Sequence, residues 1–409
     1  MPSRRQLLAG SGITLAGGVA SGYAGRWPIP LDGAAKWPMA RHDPACTGAT
    51  NEPGPKSEPE IRWQAEAESN FDRAGPPMLV GDTLIATSDR SVVALDRQTG
   101  DRRYKRTGTY RMNPLLAQAE AYRSDVLVTG NQSGFVGLAA SGGFSLGELT
   151  ISHERWQTPA KPSGGWAFTA AGQASAVASD GTIYASVPNT NRLVAIDANS
   201  GRVEWTYRVG SEDYRGVNRP VIRDETVYAT STVNQVVALD AATGTRKWQV
   251  DIEPLQREDS LQYTVPNAPT VTAEGIVVPT ERFVDLRSLD DGSRKWRYVH
   301  DGTSAKRSAA VADGTVILTD DEESLYGISL DSGERLWQSE YGPDTAPVVA
   351  DGVVYLSYYW LPELHAFDAT TGEPLWKIEI PNSPTQPIVD DGKLYLGTWE
   401  GILALGEQR

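Results

Sequence analysis

The chain has 409 residues and a formal net charge of −14. This charge disfavours general nucleic-acid binding, which needs Lys and Arg clustered on one face to neutralise phosphates. The 38 basic residues include only 9 lysines, and an acidic, lysine-poor surface of this kind stays hydrated in concentrated salt. We therefore expect a halophilic source, with an ordinary acidic exported protein as the alternative. The four histidines lack the spacing of metal ligands.

The first 25 residues predict an export signal. Arg4 and Arg5 precede a short Gly/Ala-rich apolar stretch that ends near Ala24. A twin-arginine pair in this position is typical of signals that export folded proteins, with a disordered basic start as the alternative. The stretch is too short and too rich in glycine for a transmembrane helix. We expect an exported protein, outside the cell or at its surface, with no membrane span in the mature chain.

Residues 26–59 predict a linker or extended peptide, because they are rich in Pro and Gly and show no periodicity. Within them, Trp37 and Met39 are expected to pack on a face of the folded domain. Cys46 is the one cysteine of the chain, so no intrachain disulfide forms. It lies well past the apolar stretch, which favours an unmodified thiol over a lipid-attachment site.

A phrase of the form hydrophobic–Ala–hydrophobic–Asp–x–x–Thr–Gly–x–x–x–Trp recurs along the rest of the chain. Its copies are Val92–Tyr104, Leu193–Trp205, Val236–Trp248, Leu286–Trp296, Leu325–Trp337 and Leu364–Trp376. Each copy predicts a β-hairpin whose Asp and Gly make the turn and whose aromatic residue packs between neighbouring sheets. A period of roughly 40–50 residues is typical of a solenoid, a propeller or an array.

A second hairpin precedes the phrase in most repeats. The sequence signature of this hairpin is a strand, an Asp-Gly turn and another strand. Examples are Ser175–Ser186, Ala309–Asp320, Pro347–Tyr358 and Pro387–Thr398. Two hairpins give four strands per repeat, which is one propeller blade. The sequence therefore predicts an all-β fold of four-stranded antiparallel blades.

The terminal aromatics give the number of blades. Seven repeats end at Tyr104, Trp156, Trp205, Trp248, Trp296, Trp337 and Trp376. A last unit, Pro387–Leu405, has three strands, and its fourth is available in Glu60–Ala67 with Trp63. An N-terminal strand that completes the last blade closes the ring and removes open sheet edges. We predict an eight-bladed propeller over residues 60–409, with a seven-bladed ring that loops out Phe135–Trp156 as the alternative.

The phrase, as in Ala238, Asp240, Thr243, Gly244 and Trp248, resembles the tryptophan-docking repeat of pyrroloquinoline-quinone (PQQ)-type β-propellers. The segment Trp37–Thr50 is similar to a leader found before exported haloarchaeal members. The resemblance covers about residues 37–405 and implies the fold rather than a function. The family includes quinoprotein dehydrogenases and also non-enzymatic proteins, among them the propeller lipoprotein of the bacterial outer-membrane barrel-assembly machine. The repeat residues themselves are expected to be structural.

A quinoprotein dehydrogenase would use PQQ, Ca²⁺ and a catalytic aspartate, and many members carry a vicinal disulfide that the lone Cys46 cannot form. Calcium prefers six to eight oxygen ligands, usually with several carboxylates. Only Asp344 supplies a carboxylate at the entries to the innermost strands, where propeller ligands usually bind. We therefore expect no catalytic residue, cofactor or metal.

The same entry positions suggest a basic funnel mouth. The candidate binding residues there are Arg73, Arg111, Asn113, Asn218, Arg219, Asn267, Lys306, Arg307, Asp344 and Gln386. Converging Arg side chains suit carboxylate or phosphate groups. The alternative is that these side chains pair with neighbouring Asp and Glu residues.

Three functions remain open at this stage. We expect first a non-enzymatic, monomeric, exported propeller that binds protein or peptide partners at the cell surface, since loops on a rigid ring suit binding. A PQQ-dependent oxidoreductase of alcohols or sugars is the alternative. The third possibility is an ectodomain that senses a small anion.

Overall fold

The structure is a computed structural model, and it describes fourteen stretches of the chain. These are residues 34–66, 75–122, 124–142, 144–146, 149–151, 154–159, 175–210, 216–232, 234–255, 266–300, 308–320, 324–340, 345–358 and 361–407. Regular structure in these stretches consists of strands alone. Three strands precede the first repeat, namely β1 (Ala35–Trp37), β2 (Ala49–Thr50) and β3 (Glu60–Glu66).

The first four repeats each form one blade, whose strands run in order from the inside of the ring to the outside. Blade 1 has β4 (Met78–Val80), β5 (Thr83–Thr87), β6 (Ser91–Asp96) and β7 (Arg102–Thr107). Blade 2 has β8 (Leu115–Ala117), β9 (Val126–Asn131), β10 (Gly134–Ala139) and β13 (Glu154–Thr158). A separate hairpin of β11 (Phe144–Leu146) and β12 (Leu149–Ile151) is inserted between β10 and β13. Blade 3 has β14 (Ala176–Ser179), β15 (Thr182–Ser186), β16 (Arg192–Asp197) and β17 (Val203–Arg208). Blade 4 has β18 (Val221–Arg223), β19 (Thr226–Ser231), β20 (Gln235–Asp240) and β21 (Arg246–Asp251).

The remaining repeats continue the ring in the same way. Blade 5 has β22 (Thr270–Val271), β23 (Ile276–Pro279), β24 (Phe283–Arg287) and β25 (Arg294–Val299). Blade 6 has β26 (Ala310–Ala312), β27 (Thr315–Thr319), β28 (Ser324–Ser329) and β29 (Arg335–Glu340). Blade 7 has β30 (Val348–Ala350), β31 (Val353–Tyr358), β32 (Glu363–Asp368) and β33 (Pro374–Glu379). Blade 8 has β34 (Ile388–Asp390), β35 (Lys393–Gly397) and β36 (Gly401–Gly406), with β3 as its outer strand.

The ring has eight blades and closes as the sequence predicts. Strand β3 pairs antiparallel with β36, with Trp63 opposite Ala404. The second repeat forms a full blade, because β13 pairs with β10 across the inserted hairpin. The seven-bladed alternative is therefore wrong, and the insertion explains why this repeat is hard to recognise in the sequence.

The terminal aromatic of every blade joins it to the next blade. Each ring N–H or hydroxyl donates a hydrogen bond of 2.7–3.1 Å to a backbone carbonyl. The pairs are Trp63–Arg97, Tyr104–Ala140, Trp156–Ala198, Trp205–Ala241, Trp248–Leu289, Trp296–Leu330, Trp337–Ala369 and Trp376–Pro55. In the last pair the acceptor is the backbone carbonyl of Pro55. This residue lies just before β3 in the sequence, and β3 is the outer strand of blade 8.

The Asp and Gly of the repeat phrase are structural, as expected. Asp240 accepts a hydrogen bond of 2.9 Å from the Thr243 backbone N–H and so caps its own turn. Gly244 has a φ of +69°, and a Cβ there would lie 2.6 Å from Cδ2 of Trp205. Glycine is needed because the turn requires a positive φ and the neighbouring blade's tryptophan lies flat against it.

Candidate functional site

Residues 34–55, here called the axial segment, run along the inner strands of the ring. Their backbone carbonyls accept hydrogen bonds of 2.8–3.0 Å from the innermost strands, or the turns next to them, of seven blades. The acceptor–donor pairs are Ala34–Gly81, Pro38–Leu116, Pro44–Ile222, Ala45–Val271, Thr47–Val311, Gly48–Val349 and Pro53–Gly392. Strands β1 and β2 also extend the sheets of blades 1 and 7. This segment, whose composition predicts a linker or an extended peptide, is built into the centre of the propeller.

Side chains of the axial segment are buried against the inner strands. Trp37 and Cys46 are fully buried and Met39 is 4% exposed. Trp37 and Met39 thus pack inside the ring rather than on a face of it. Burial raises the pKa of the Cys46 thiol, which is the dominant effect over the nearby arginines, so the thiol stays protonated at neutral pH.

Arg41 is the most buried charged residue of the axial segment, at 2% exposure. Its guanidinium donates hydrogen bonds to the carbonyls of Pro347 (2.7 Å) and Ala309 (3.0 Å), which precede the innermost strands of blades 7 and 6. A Cβ at Gly48 would lie 2.0 Å from Nη2 of Arg41, so a glycine is needed for this close approach. Arg41 thereby connects the axial segment to two blades.

Two of the predicted funnel-mouth residues contact the same region. Arg219 is 7% exposed, and its Nη2 lies 3.4 Å from the Ser308 hydroxyl. Nε2 of Gln386 lies 3.4 Å from the carbonyl oxygen of Ala40 in the axial segment. Arg219 is therefore buried near Arg41 and Cys46 of the axial segment, and Gln386 lies beside Ala40 of the same segment.

The predicted asparagines join blades to one another. Asn218 donates 2.8 Å hydrogen bonds to the Thr230 hydroxyl and the Pro266 carbonyl, and Thr230 donates to the Asn267 carbonyl at 2.7 Å. These bonds tie blade 4 to blade 5. Asn113 is 5% exposed and packs against Gly75. The binding role predicted for these asparagines stays a prediction.

Of the remaining predicted mouth residues, Arg111 is among those that the structure describes. The backbone N–H of Arg111 donates to the Gly130 carbonyl at 2.7 Å, and the residue is partly exposed. Arg73, Lys306, Arg307 and Asp344 lie outside the described residues. The predicted basic mouth as a whole therefore stays a prediction.

Two features of a quinoprotein centre, clustered metal ligands and a vicinal disulfide, can be sought in this chain. Among the fourteen described stretches, no group of three or more His, Cys, Asp or Glu side chains is placed to hold a metal ion. The one cysteine cannot make a vicinal disulfide.

One position of the repeat differs between blades in a way that the fold does not require. Every outer strand carries a one-residue β-bulge immediately before its docking aromatic; in blade 7, Trp376 pairs with Ala366 and Pro374 with Phe367, which leaves Leu375 extra. A bulge leaves its residue outside the regular pairing and redirects its side chain. The equivalent residues in blades 1–8 are Arg103, Arg155, Glu204, Lys247, Lys295, Leu336, Leu375 and Arg62.

Six of these bulge residues are charged and two are leucines, on the consecutive blades 6 and 7. Leu336 is 56% exposed and Leu375 is 43% exposed. Ile61, next to the bulge of blade 8, is 44% exposed. We call these three residues the rim patch. Both leucines stand directly before the tryptophan of the repeat phrase, so an alignment of the repeats distinguishes them from the charged residues of the other blades.

Exposed apolar residues are concentrated on one half of the ring. In the part of the chain that the structure describes, the large apolar side chains with the greatest exposure all belong to blades 5–8: the rim patch, Val299, Leu361 and Trp399. Leu361 and Trp399 lie between the second and third strands of blades 7 and 8. Such a local concentration is typical of interaction surfaces.

Comparison with known proteins gives a consistent family assignment. The family model described as outer membrane protein assembly factor BamB matches residues 56–161, 153–262 and 258–408. A protein of that name from Burkholderia pseudomallei is 27% identical over 279 residues, which cover 65% of this chain and 65% of the relative. The match thus spans less than two thirds of that relative's own length.

Two further matches show the breadth of the similarity. The crystal structure of BamB from Moraxella catarrhalis superposes with a TM-score of 0.63 at 17% identity, over 84% of this chain and 99% of that one. Quinohemoprotein alcohol dehydrogenase ADH-IIG of Pseudomonas putida is 28% identical over 141 residues, 31% of this chain and 19% of the enzyme.

No helix in the described residues has the length and apolar character to cross a membrane.

Proposed function

The chain belongs to the family described as outer membrane protein assembly factor BamB, and from this premise we propose that it is a non-enzymatic scaffold that binds protein partners in the cell envelope. Export by the twin-arginine route and a place at the cell surface are part of this proposal. The observation that carries it is the pair of exposed leucines at the bulge position of blades 6 and 7. The other six blades place a charged residue there.

The equivalent residues of other blades show why leucine is unexpected. Lys247 donates to the Thr226 hydroxyl at 2.7 Å, and Lys295 donates to the Glu274 carbonyl at 2.6 Å. Their charged ends can therefore bind the blade and water together. A leucine at the same site gains neither contact and exposes apolar surface to water, which is unfavourable until a partner covers it.

The geometry of the rim patch suggests the kind of partner. Strands β29, β33 and β3 are the outermost strands of their sheets, and each leaves one edge unpaired with another named strand. An exposed edge accepts an extended segment by strand addition, and apolar pockets beside it select the side chains. We propose that the partner presents an extended segment with apolar side chains to blades 6–8.

A pair of matched double variants tests this proposal. Purified Leu336→Lys/Leu375→Lys protein and the control Lys247→Ala/Lys295→Ala are used to capture proteins from the envelope of the source organism. We expect a partner that the wild type and the control retain and that the leucine variant loses. Equal capture by all three proteins would refute the rim patch as the binding surface.

The similarity to ADH-IIG favours one rival, a quinoprotein oxidoreductase. Incubation of the purified protein with PQQ and Ca²⁺, followed by a dye-linked assay with alcohols and sugars, separates the two. A scaffold gives no dye reduction above the protein-free blank. Turnover in that assay would replace the scaffold proposal with the enzymatic one.

A further inference from the structure

Two buried arginines converge at the centre of the propeller. Arg41 belongs to the axial segment and donates to the Ala309 carbonyl. Arg219, just before the innermost strand of blade 4, contacts the hydroxyl of Ser308 through Nη2. Since Ser308 and Ala309 are consecutive, both guanidinium groups are held at the start of blade 6. They are 2% and 7% exposed, respectively.

Positive charge exceeds negative charge at this point. In the described stretches neither arginine forms an ion pair with a carboxylate, and the acidic side chain that acts on Arg41 there is Asp43. That carboxylate already accepts hydrogen bonds from the Thr47 backbone and hydroxyl. Among the described residues, two guanidinium groups and one carboxylate leave a net charge of one positive unit in a buried region, which is unfavourable unless it is neutralised.

None of the described titratable side chains beside the two arginines supplies the missing negative charge. Burial, followed by the charge of Arg219, lowers the pKa of Arg41 to about 10, so Arg41 is still protonated at neutral pH. The buried Cys46 thiol has a raised pKa and stays neutral. The Nε atoms of Arg41 and Arg219 are both buried and have no hydrogen-bond partner in the described residues.

We propose that a small monovalent inorganic anion, of the size of chloride or bromide, binds between Arg41 and Arg219. It accepts hydrogen bonds from the two Nε–H groups, which the contacts of these side chains with carbonyl groups, the Ser308 hydroxyl and the Cys46 thiol leave available. The burial of both arginines excludes a large polyanion or an acidic peptide. The anion ties the axial segment to blade 4, and this role is independent of the rim patch and of the proposed scaffold function.

Thermal unfolding at constant ionic strength tests the proposal, with chloride progressively replacing gluconate, which is too large for the site. A ligand that binds only the folded state raises its stability with concentration. For wild type we expect the midpoint to rise by roughly 1.5 °C for each tenfold increase in chloride above the dissociation constant. Arg219→Gln should abolish the dependence. The control Arg223→Gln should retain it, because Arg223 is partly exposed and pairs with Asp224.

A wild type without chloride dependence, or an Arg219→Gln protein that keeps it, would overturn the proposal. If Arg219→Gln does not fold, the chloride dependence of the wild-type unfolding midpoint decides the test. Crystals grown in bromide should then show an anomalous peak between Arg41 and Arg219. Ordered water in that place, with no anomalous signal, would also overturn the proposal.

Discussion

Leu336 and Trp337 are neighbours in one strand, yet they belong to two different regions of the molecule. Trp337 is 8% exposed and donates to the Ala369 carbonyl of the next blade, whereas Leu336 is 56% exposed. The same contrast recurs at Leu375 and Trp376. The bulge separates the two roles, because it places one residue outside the regular pairing while the aromatic keeps its register. We call the docking aromatics and the turns that they contact the interlock; it joins adjacent blades, whereas the leucines of the rim patch face solvent.

The largest expected effect is on the interlock side of this comparison. Trp337→Ala removes a buried aromatic and its hydrogen bond, so the free energy of unfolding should fall by about 3–5 kcal/mol. Leu336→Ala should change it by no more than about 0.5 kcal/mol, because an exposed side chain contributes little. Urea denaturation of both variants measures the difference. Similar losses for the two substitutions would contradict the separation of roles.

A glycine pair in blade 7 measures how tightly the interlock is packed. Gly372 and Gly352 have φ values of +73° and +78°, so alanine is strained at both. A Cβ at Gly372 would lie 2.4 Å from Cε3 of Trp337, while one at Gly352 meets nothing within 4 Å. Gly372→Ala should therefore lose about 1–3 kcal/mol more than Gly352→Ala, as measured by urea denaturation. Equal losses would show that the turn strain, and not the tryptophan, demands the glycine.

On the rim side, Leu336→Lys/Leu375→Lys gives blades 6 and 7 the charged character of the other six. The free energy of unfolding should stay within about 0.5 kcal/mol of the wild type, since neither leucine is buried. Binding of a fluorescent apolar-surface dye should fall. Marked destabilisation by these lysines would mean that the leucines serve the fold.

The smallest effect concerns a capping aspartate of the interlock turns. The Thr243 hydroxyl, together with the Thr243 backbone N–H, lowers the pKa of Asp240 below its usual 3.8. A carboxyl with a depressed folded-state pKa stabilises the protein above the unfolded pKa, and this contribution is lost as the pH falls through the folded value. Asp240→Asn should thus cost roughly a few tenths of a kcal/mol at pH 7, because water screens this surface group, and less at pH 3. Denaturation at both pH values checks the sign; a cost that grows at pH 3 would contradict it.

The sequence predicts the interlock well and the centre poorly. Docking aromatics, turn residues and the closing strand all carry local signals, so eight blades follow from Trp63 to Trp376. The path of residues 34–55 carries no such signal, because its hydrogen bonds come from backbone atoms of distant strands and its composition is that of a linker. The burial of Arg219, which the sequence assigns to the basic mouth, carries no local signal either. The export signal lies outside the described residues and, like the halophilic origin, stays a prediction.

Photo-crosslinking in living cells tests the central claim most directly. A photoreactive phenylalanine analogue is placed, one position at a time, at 336 and 375 on the rim patch and at 247 and 295 on the equivalent bulges of blades 4 and 5. The account predicts that irradiation yields a covalent adduct with the same protein partner from positions 336 and 375, and none from 247 and 295. Adducts from all four positions, or from the two control positions alone, would contradict it.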